Sequence, residues 1–212
     1  MDKVFSVAAP WPEAPDSGGE LFVDLPATPY ELLDVREKLR LSEGEAALFR
    51  VDEFYHFDFL APHLSETYDL PELNTLAERL SELEPEQTTS LAGLVQMDEE
   101  QRDSPLGLPR LIDLAHSTEC CHVVGEVLND TQLGRFCAEN GFVPGLDGLS
   151  DEVFDLLDFE RIGREHRQQE GGVLAERTAD HPGGYVERHS DLVQAYKFMS
   201  DQPEPGGMEM RF

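Results

Sequence analysis

The chain has 212 residues, of which 40% are hydrophobic, and it contains 44 acidic residues against 16 basic ones. The hydrophobic content predicts a folded protein, and the length allows one domain or several small ones. The formal net charge of -28 at pH 7 argues against a nucleic-acid-binding function, because such binding depends on neutralising phosphates with Lys and Arg.

Two further features concern the cell compartment. No run of about 18 apolar residues exists, so we expect no membrane-spanning helix, and the N-terminus lacks the basic start and apolar core of a signal peptide. Three cysteines, two of them adjacent at Cys120 and Cys121, do not make a disulfide framework. A reducing compartment suits them, and the sequence therefore predicts a cytoplasmic protein without a membrane partner.

The negative charge is spread along the whole chain. Residues 1–60 have a net charge of -8, residues 61–100 of -9, residues 101–150 of -4 and residues 151–212 of -7. The acids accompany core-forming patterns in each part, so we expect them to cover folded surfaces instead of forming a disordered tail.

The first third of the chain alternates between strand and helix patterns. Residues Lys3 to Ala8 and Glu20 to Leu25 predict short strands, and aromatic and β-branched residues predict another at Ala47 to Leu60. Between them, a helix over about residues 29–40 begins at Thr28-Pro29-Tyr30-Glu31, which has the spacing of a capping box.

Helical patterns dominate the middle. Asp69 to Glu72 repeats the capping-box spacing, and a narrow leucine stripe follows it up to Leu83. Pro85 begins a second helix, whose Leu91, Leu94 and Val95 should face inward. The segment Leu108 to Ala115 predicts a third.

The last part is mixed. We expect a short strand at Cys120 to Val124, a helix that begins at Asn129 or Asp130 and ends at Gly141, and two more helices from Ser150 and Asp158. A hairpin of Val173 to Arg177 with Gly184 to Arg188 and a last helix at Asp191 to Met199 follow. The apolar residues of these helices are expected to face inward, in the core or in a subunit interface: Leu133, Phe136, Cys137, Val153, Phe154, Leu157, Phe159 and Ile162.

These elements predict an α+β fold, built as an elongated chain of small units. The predicted units are an N-terminal ββαβ domain at residues 1–62, a helical domain at residues 63–116, a C-terminal domain of mixed helices with a β-hairpin at residues 117–200, and a disordered tail at residues 201–212.

Soft metal ligands cluster in the sequence at His116, Cys120, Cys121, His122 and Cys137. The paired C-x-x-C spacing of a structural zinc site is absent, and buried small hydrophobes are the better interpretation of the cysteines. Neither phosphate-binding glycine motif occurs, and no local signature supports Cys137 as a nucleophile. The sequence thus predicts no catalytic, cofactor or metal site, although a pocket around Cys137 or the histidines would reopen the enzyme hypothesis.

The stretch from Leu133 to Gly172 contains three features in a fixed order. Glu139-Asn140-Gly141 ends a helix, an acidic helix runs from Ser150 to Leu157, and Asp158-Phe159-Glu160 leads to Gly163-Arg164. Together with the leucine run at Leu73 to Leu83, this order resembles the ArdA-type antirestriction proteins, which are acidic mimics of DNA. The chain is longer than a typical member, with additional residues after about position 188.

The resemblance implies a non-enzymatic homodimer whose acidic surface occupies the DNA-binding methyltransferase core of a type I restriction-modification enzyme. The residues expected to stand in for phosphates are Glu78, Glu82, Glu84, Glu86, Asp151, Glu152, Asp155, Asp158 and Glu160. An acidic regulatory or scaffold protein with another basic partner is the alternative. Adaptation to high salt is a further explanation of the charge itself.

Overall fold

The computed structural model of this chain describes residues 2–11, 19–42, 44–102, 104–146 and 148–189. Two antiparallel sheets and a set of helices within these ranges confirm the α+β class. The strands are β1 (Phe5–Pro10), β2 (Glu20–Leu25), β3 (Leu48–Phe54), β4 (Thr67–Asp69), β5 (Cys121–Gly125), β6 (Val173–Ala175) and β7 (Gly184–Arg188). The α-helices are α1 (Pro29–Lys38), α2 (Leu70–Ser81), α3 (Pro85–Glu99), α4 (Leu108–His116), α5 (Asp130–Glu139), α6 (Asp151–Phe154) and α7 (Phe159–Glu170).

The first sheet has the strand order β2-β1-β3-β4, with β1 antiparallel to both β2 and β3. Helix α1 begins as predicted, at a complete capping box. The backbone N–H of Glu31 donates to Thr28 Oγ1 at 3.3 Å, and the N–H of Thr28 donates to Glu31 Oε2 at 2.7 Å. Two amides that the helix leaves unpaired are thereby satisfied.

A strand is present in the predicted segment Ala47 to Leu60, but its predicted C-terminal end was wrong. Strand β3 ends at Phe54, and Phe57 adopts a left-handed backbone with φ of 64° before a 3₁₀ helix at Asp58–His63. Phe57 and Leu60 are buried, so these apolar side chains belong to the hydrophobic core and not to one face of a β-strand. The chain then returns to β3 as β4, a strand that the sequence pattern did not predict.

Helices α2, α3 and α4 continue the core beneath this sheet. The predicted leucine stripe of α2 is buried at Leu73, Leu76 and Leu80, and Leu91, Leu94 and Val95 of α3 are buried as well. The capping box predicted at Asp69 does not form, because its side chain makes no cap hydrogen bond. Buried side chains from residue 4 to residue 115 form one hydrophobic cluster, and the predicted division at residue 62 stays a prediction.

The second sheet has the order β5-β7-β6 and packs against α3. Both predicted strands of the hairpin are present, although β6 ends at Ala175. Gly93 of α3 faces Val186 of β7 so closely that a Cβ atom on the glycine would lie 2.6 Å from the valine Cβ. A small residue is therefore required where the helix meets this sheet.

Helices α5 and α7 pack tightly against each other, and Leu133, Cys137 and Phe159 are buried as predicted. Helix α6 is a single turn with no buried residue. Val153 does not belong to the core of this chain, because its side chain is 46% exposed, and its place in a subunit interface stays a prediction. A one-turn helix has too few residues to bury a complete apolar face.

The predicted helix at Asp191 to Met199 and the predicted tail at residues 201–212 lie outside the described residues. The predicted domain boundary at residue 116 stays a prediction.

Candidate partner-binding surface

Four of the acids expected to stand in for phosphates lie around the turn that joins α2 to α3. Glu78 is half-buried and accepts a hydrogen bond at 2.8 Å from the side-chain amide of Asn74. Glu82 is exposed, and its Oε2 lies 3.8 Å from Arg79 Nη1. Glu84 and Glu86 are exposed at the start of α3. Three of the four carboxylates are thus exposed to solvent around the short turn between α2 and α3.

The other five acids surround α6 and the start of α7, and all five are exposed. Asp151 and Glu152 form the first turn of α6, and Asp155 ends it. Asp155 Oδ1 lies 3.9 Å from Arg135 Nη2 on α5, so its charge is partly compensated.

Asp158 and Glu160 are more strongly engaged. The Asp158 carboxylate caps α7 by accepting a hydrogen bond from the Arg161 backbone N–H at 3.1 Å. Glu160 forms an ion pair with Arg164 one turn further along the helix. These two carboxylates therefore have local partners that a bound protein would have to replace or share.

Six of the nine predicted acids occupy a helix N-cap or first turn: Glu84, Glu86, Asp151, Glu152, Asp158 and Glu160. Acidic side chains there interact favourably with the unpaired N–H groups and with the helix dipole. Helix stabilisation is thus a sufficient reason for each of these acids taken alone, and a binding function has to rest on the field of the group.

The two groups of acids differ in how far basic residues neutralise their charge. Residues 61–100 contain ten acidic residues and only Arg79 as a base, and Arg79 Nε already donates to the carbonyl oxygen of Ala115 at 3.0 Å. Helix α7, in contrast, contains Arg161, Arg164 and Arg167, each paired with a carboxylate. The α2–α3 side is therefore the less neutralised part of the predicted surface.

Large apolar side chains are exposed close in sequence to the second group of acids: Phe142, Leu149, Val153 and Leu156. Leu156 is 84% exposed. Exposed apolar side chains of this size, next to charged ones, are typical of protein interaction sites when they are contiguous. The sequence pattern allowed either the core or a subunit interface for Val153, and its exposure excludes the core.

Two of the three cysteines have thiols whose pKa values are raised. Burial raises the pKa of the Cys137 thiol to about 11, with a smaller contribution from Glu187. Burial likewise raises the pKa of Cys121 to about 12. Both thiols are therefore protonated at neutral pH, which disfavours nucleophilic or metal-binding thiolates. Within the described ranges, no group of three or more His, Cys, Asp or Glu residues is arranged to hold a metal ion.

No sequence pattern predicted one further feature, a cavity whose lining residues come from positions 59 to 181 of the chain. His181, which lines it, is 4% exposed, and its Nδ1 has no hydrogen-bond partner in the described structure. Only the fold brings these distant residues together.

Among the described residues, no helix combines the length and the apolar character needed to cross a membrane. Comparison with known proteins gives no assignment: no protein-family model matches this chain, and no curated protein matches it significantly.

Proposed function

We propose that this protein is an antirestriction DNA mimic, which binds the DNA-binding methyltransferase core of a type I restriction-modification enzyme in the cytoplasm. The observation that carries the proposal is the weakly neutralised group of carboxylates around the α2–α3 turn. It lies in a segment of net charge -9 that is folded and has a buried core. An acidic surface held by packed helices presents its charges at fixed positions, as a DNA backbone does.

The size of the charge agrees with this role. B-DNA carries one charge per about 1.7 Å of helix axis, so a net charge of -28 corresponds to roughly 48 Å of duplex. A protein groove that binds DNA through phosphates would attract such a surface over a long range, without any base contacts.

The proposal requires neither a cofactor nor a direct nucleic-acid contact, and it includes the homodimer that the family resemblance implies. Exposed Val153 and Leu156 lie near the second group of acids, where apolar side chains would be covered in an assembly.

An acidic scaffold or regulatory protein with a different basic partner is the second candidate. The ion pairs of α7 favour it, because Arg161, Arg164 and Arg167 interrupt the negative surface where a DNA mimic needs it to continue. Under this hypothesis the partner would bind mainly to the α2–α3 side.

A competition experiment separates the two candidates. The full-length protein is titrated into a complex of a type I methyltransferase core with a fluorescent DNA duplex, and DNA release is followed by anisotropy. Unlabelled duplex and polyglutamate of equal total charge serve as controls. We expect release at protein concentrations at which polyglutamate has no effect. If the DNA stays bound at every protein concentration, the antirestriction proposal is wrong.

A further inference from the structure

A cavity of about 360 Å³ lies between α3, the 3₁₀ helix at Asp58–His63 and the loop from β6 to β7. Phe59, Val95 and Leu174 are among the apolar residues of its walls. Its volume is at the small end of the range of ligand sites, so it suits a side chain or a similarly small group instead of a nucleotide or a large cofactor.

Two carboxylates line the same cavity, Glu99 at the end of α3 and Glu176 directly after β6. Both are exposed, so they stand where the cavity meets solvent. Glu99 Oε1 lies 3.1 Å from Nε2 of the buried His63, although the two atoms do not have the geometry of a hydrogen bond. The arrangement combines apolar walls with a negative opening.

His181 lines the cavity as a buried group with unused hydrogen-bonding capacity. The edge-to-face contact with Phe59, at 5.9 Å between ring centroids, fixes the plane of the imidazole. Burial lowers the pKa of His181, and nearby Asp180 opposes this only in part, so the ring is neutral at pH 7. A neutral imidazole can accept a hydrogen bond at Nδ1, and leaving such an atom unpaired in a buried place is unfavourable.

We propose that this cavity binds a guanidinium group. In the complex, the group would be an arginine side chain of the basic partner, a step that rests on the proposed function. A guanidinium ion is planar and weakly hydrated, carries five N–H donors and stacks on aromatic rings. It matches the aromatic ring of Phe59 in the wall and the carboxylates of Glu99 and Glu176 at the opening. An ammonium ion is more strongly hydrated and would lose more by entering an apolar cavity.

The cavity itself is tested on the full-length protein alone. Ethylguanidinium and the uncharged, similarly shaped ethylurea are titrated while backbone amide and histidine ring signals are followed by NMR. We expect saturable shifts at Glu176, Thr178 and His181 with ethylguanidinium only. Glu99→Gln and Glu176→Gln should each weaken binding about two- to fivefold, as expected for partly solvated ion pairs. Glu100→Gln removes the same charge from an exposed residue that does not line the cavity, and should leave binding unchanged.

Equal shifts with ethylurea, or a Glu100→Gln effect as large as that of Glu176→Gln, would overturn the guanidinium site. The partner is then tested by measuring how the same three variants bind the methyltransferase core. Suppose that the core binds the wild type, and that it binds Glu176→Gln as tightly as Glu100→Gln. In that case the partner arginine does not enter the cavity, although the proposed function holds. If ethylguanidinium binds and the core does not, the cavity stands and the proposed function fails.

Discussion

Asp98, near the end of α3, is a buried carboxylate that joins three elements of the fold. Arg110 of α4 donates to it twice, from Nε to Oδ2 at 2.6 Å and from Nη2 to Oδ1 at 3.0 Å. Arg188 at the end of β7 donates from Nη2 to Oδ1 at 2.9 Å. Burial raises the pKa of Asp98, but the hydrogen bonds and charges of the two arginines together outweigh it and keep the pKa below its ordinary value. The ionised carboxylate therefore stabilises the contact between the helices and the second sheet.

Replacement of this carboxylate should destabilise the protein strongly. We expect Asp98→Asn to lower the free energy of unfolding by about 3 kcal/mol, because it leaves two arginines without their buried counter-charge. Asp58→Asn makes the same chemical change at an exposed position, and should cost less than about 0.5 kcal/mol. Urea unfolding at pH 7 measures both. Similar losses in the two variants would show that Asp98 does not join the elements as described.

The effect of Asp98 should also depend on pH. A carboxylate whose pKa is lower in the folded than in the unfolded protein contributes stability that is fully present above the unfolded pKa. The contribution is lost as the pH falls through the lowered pKa of the folded protein, that is, below about pH 4. The difference in unfolding free energy between wild type and Asp98→Asn should therefore be constant from pH 6 to pH 7 and decrease below pH 4. Urea unfolding across this range checks it, and a difference that grows on acidification would contradict it.

At the scale of elements, the closest packing in the C-terminal part is between α5 and α7. It depends on Gly134 and Gly163, each of which faces the backbone of the opposite helix. A Cβ atom on Gly134 would overlap the carbonyl oxygen of Phe159, and one on Gly163 would overlap the carbonyl oxygen of Asp130. Arg167 adds a bidentate ion pair to Asp130, with distances of 2.9 and 3.2 Å. The two helices thus approach at a distance that only glycine permits.

Alanine at either glycine should separate the two helices. Although alanine favours a helix by about 1 kcal/mol over glycine, a clash with backbone atoms cannot be relieved by a side-chain rotation, so we expect a net loss of about 2 kcal/mol or more. Gly125→Ala is the matched control, because a Cβ atom there meets no atom within 4 Å. Thermal or urea unfolding of the three variants gives the comparison. If Gly134→Ala and Gly163→Ala are as stable as Gly125→Ala, the described helix contact is wrong.

Local sequence signals predicted the elements well where one principle dominated. The capping box at Thr28 and the leucine stripe of α2 are present as predicted from local spacing, whereas the capping box predicted from the same spacing at Asp69 does not form. The strand prediction for the segment after Phe54 was wrong. Aromatic residues favour strands on average, but Phe57 has a left-handed backbone conformation and is buried before a 3₁₀ helix. The pattern around Val153 has helical spacing, but a single turn does not form a buried face.

The candidate surface could be predicted only in part. The sequence shows that Glu84 and Glu86 are exposed acids in an acidic segment, and the structure agrees. It does not show that Glu160 is paired with Arg164, or that Glu99 and His181 line one cavity. The cavity contacts depend on the way α3 meets the second sheet, which no local pattern determines.

At the scale of the whole molecule, the carboxylates that contribute to the net charge of -28 include two different kinds. Those of α7 are largely matched by arginines, and those of the α2–α3 turn are weakly matched. Unmatched charges of one sign repel each other across a compact fold, so the second kind has an energetic cost that local ion pairs do not offset. Such a cost is expected where an interaction with a cationic partner depends on the charges.

Two triple variants with the same change in net charge should therefore bind the partner differently. The first neutralises the weakly matched acids by Glu82→Gln, Glu84→Gln and Glu86→Gln. The second neutralises three acids around α6 and α7 by Asp155→Asn, Glu160→Gln and Glu165→Gln, which lie close to Arg135, Arg164 and Arg161 respectively. We expect the first to weaken the competition with DNA about tenfold or more, since three exposed charge contacts of up to about 1 kcal/mol each would be lost. The second should weaken the competition less, because its acids contribute less unmatched charge.

Titration of both variants against the methyltransferase core and labelled DNA at fixed salt gives the comparison. Circular dichroism confirms that each variant is folded. Equal losses in the two variants would show that only the total charge matters, and no loss in either would show that neither group of acids faces the partner.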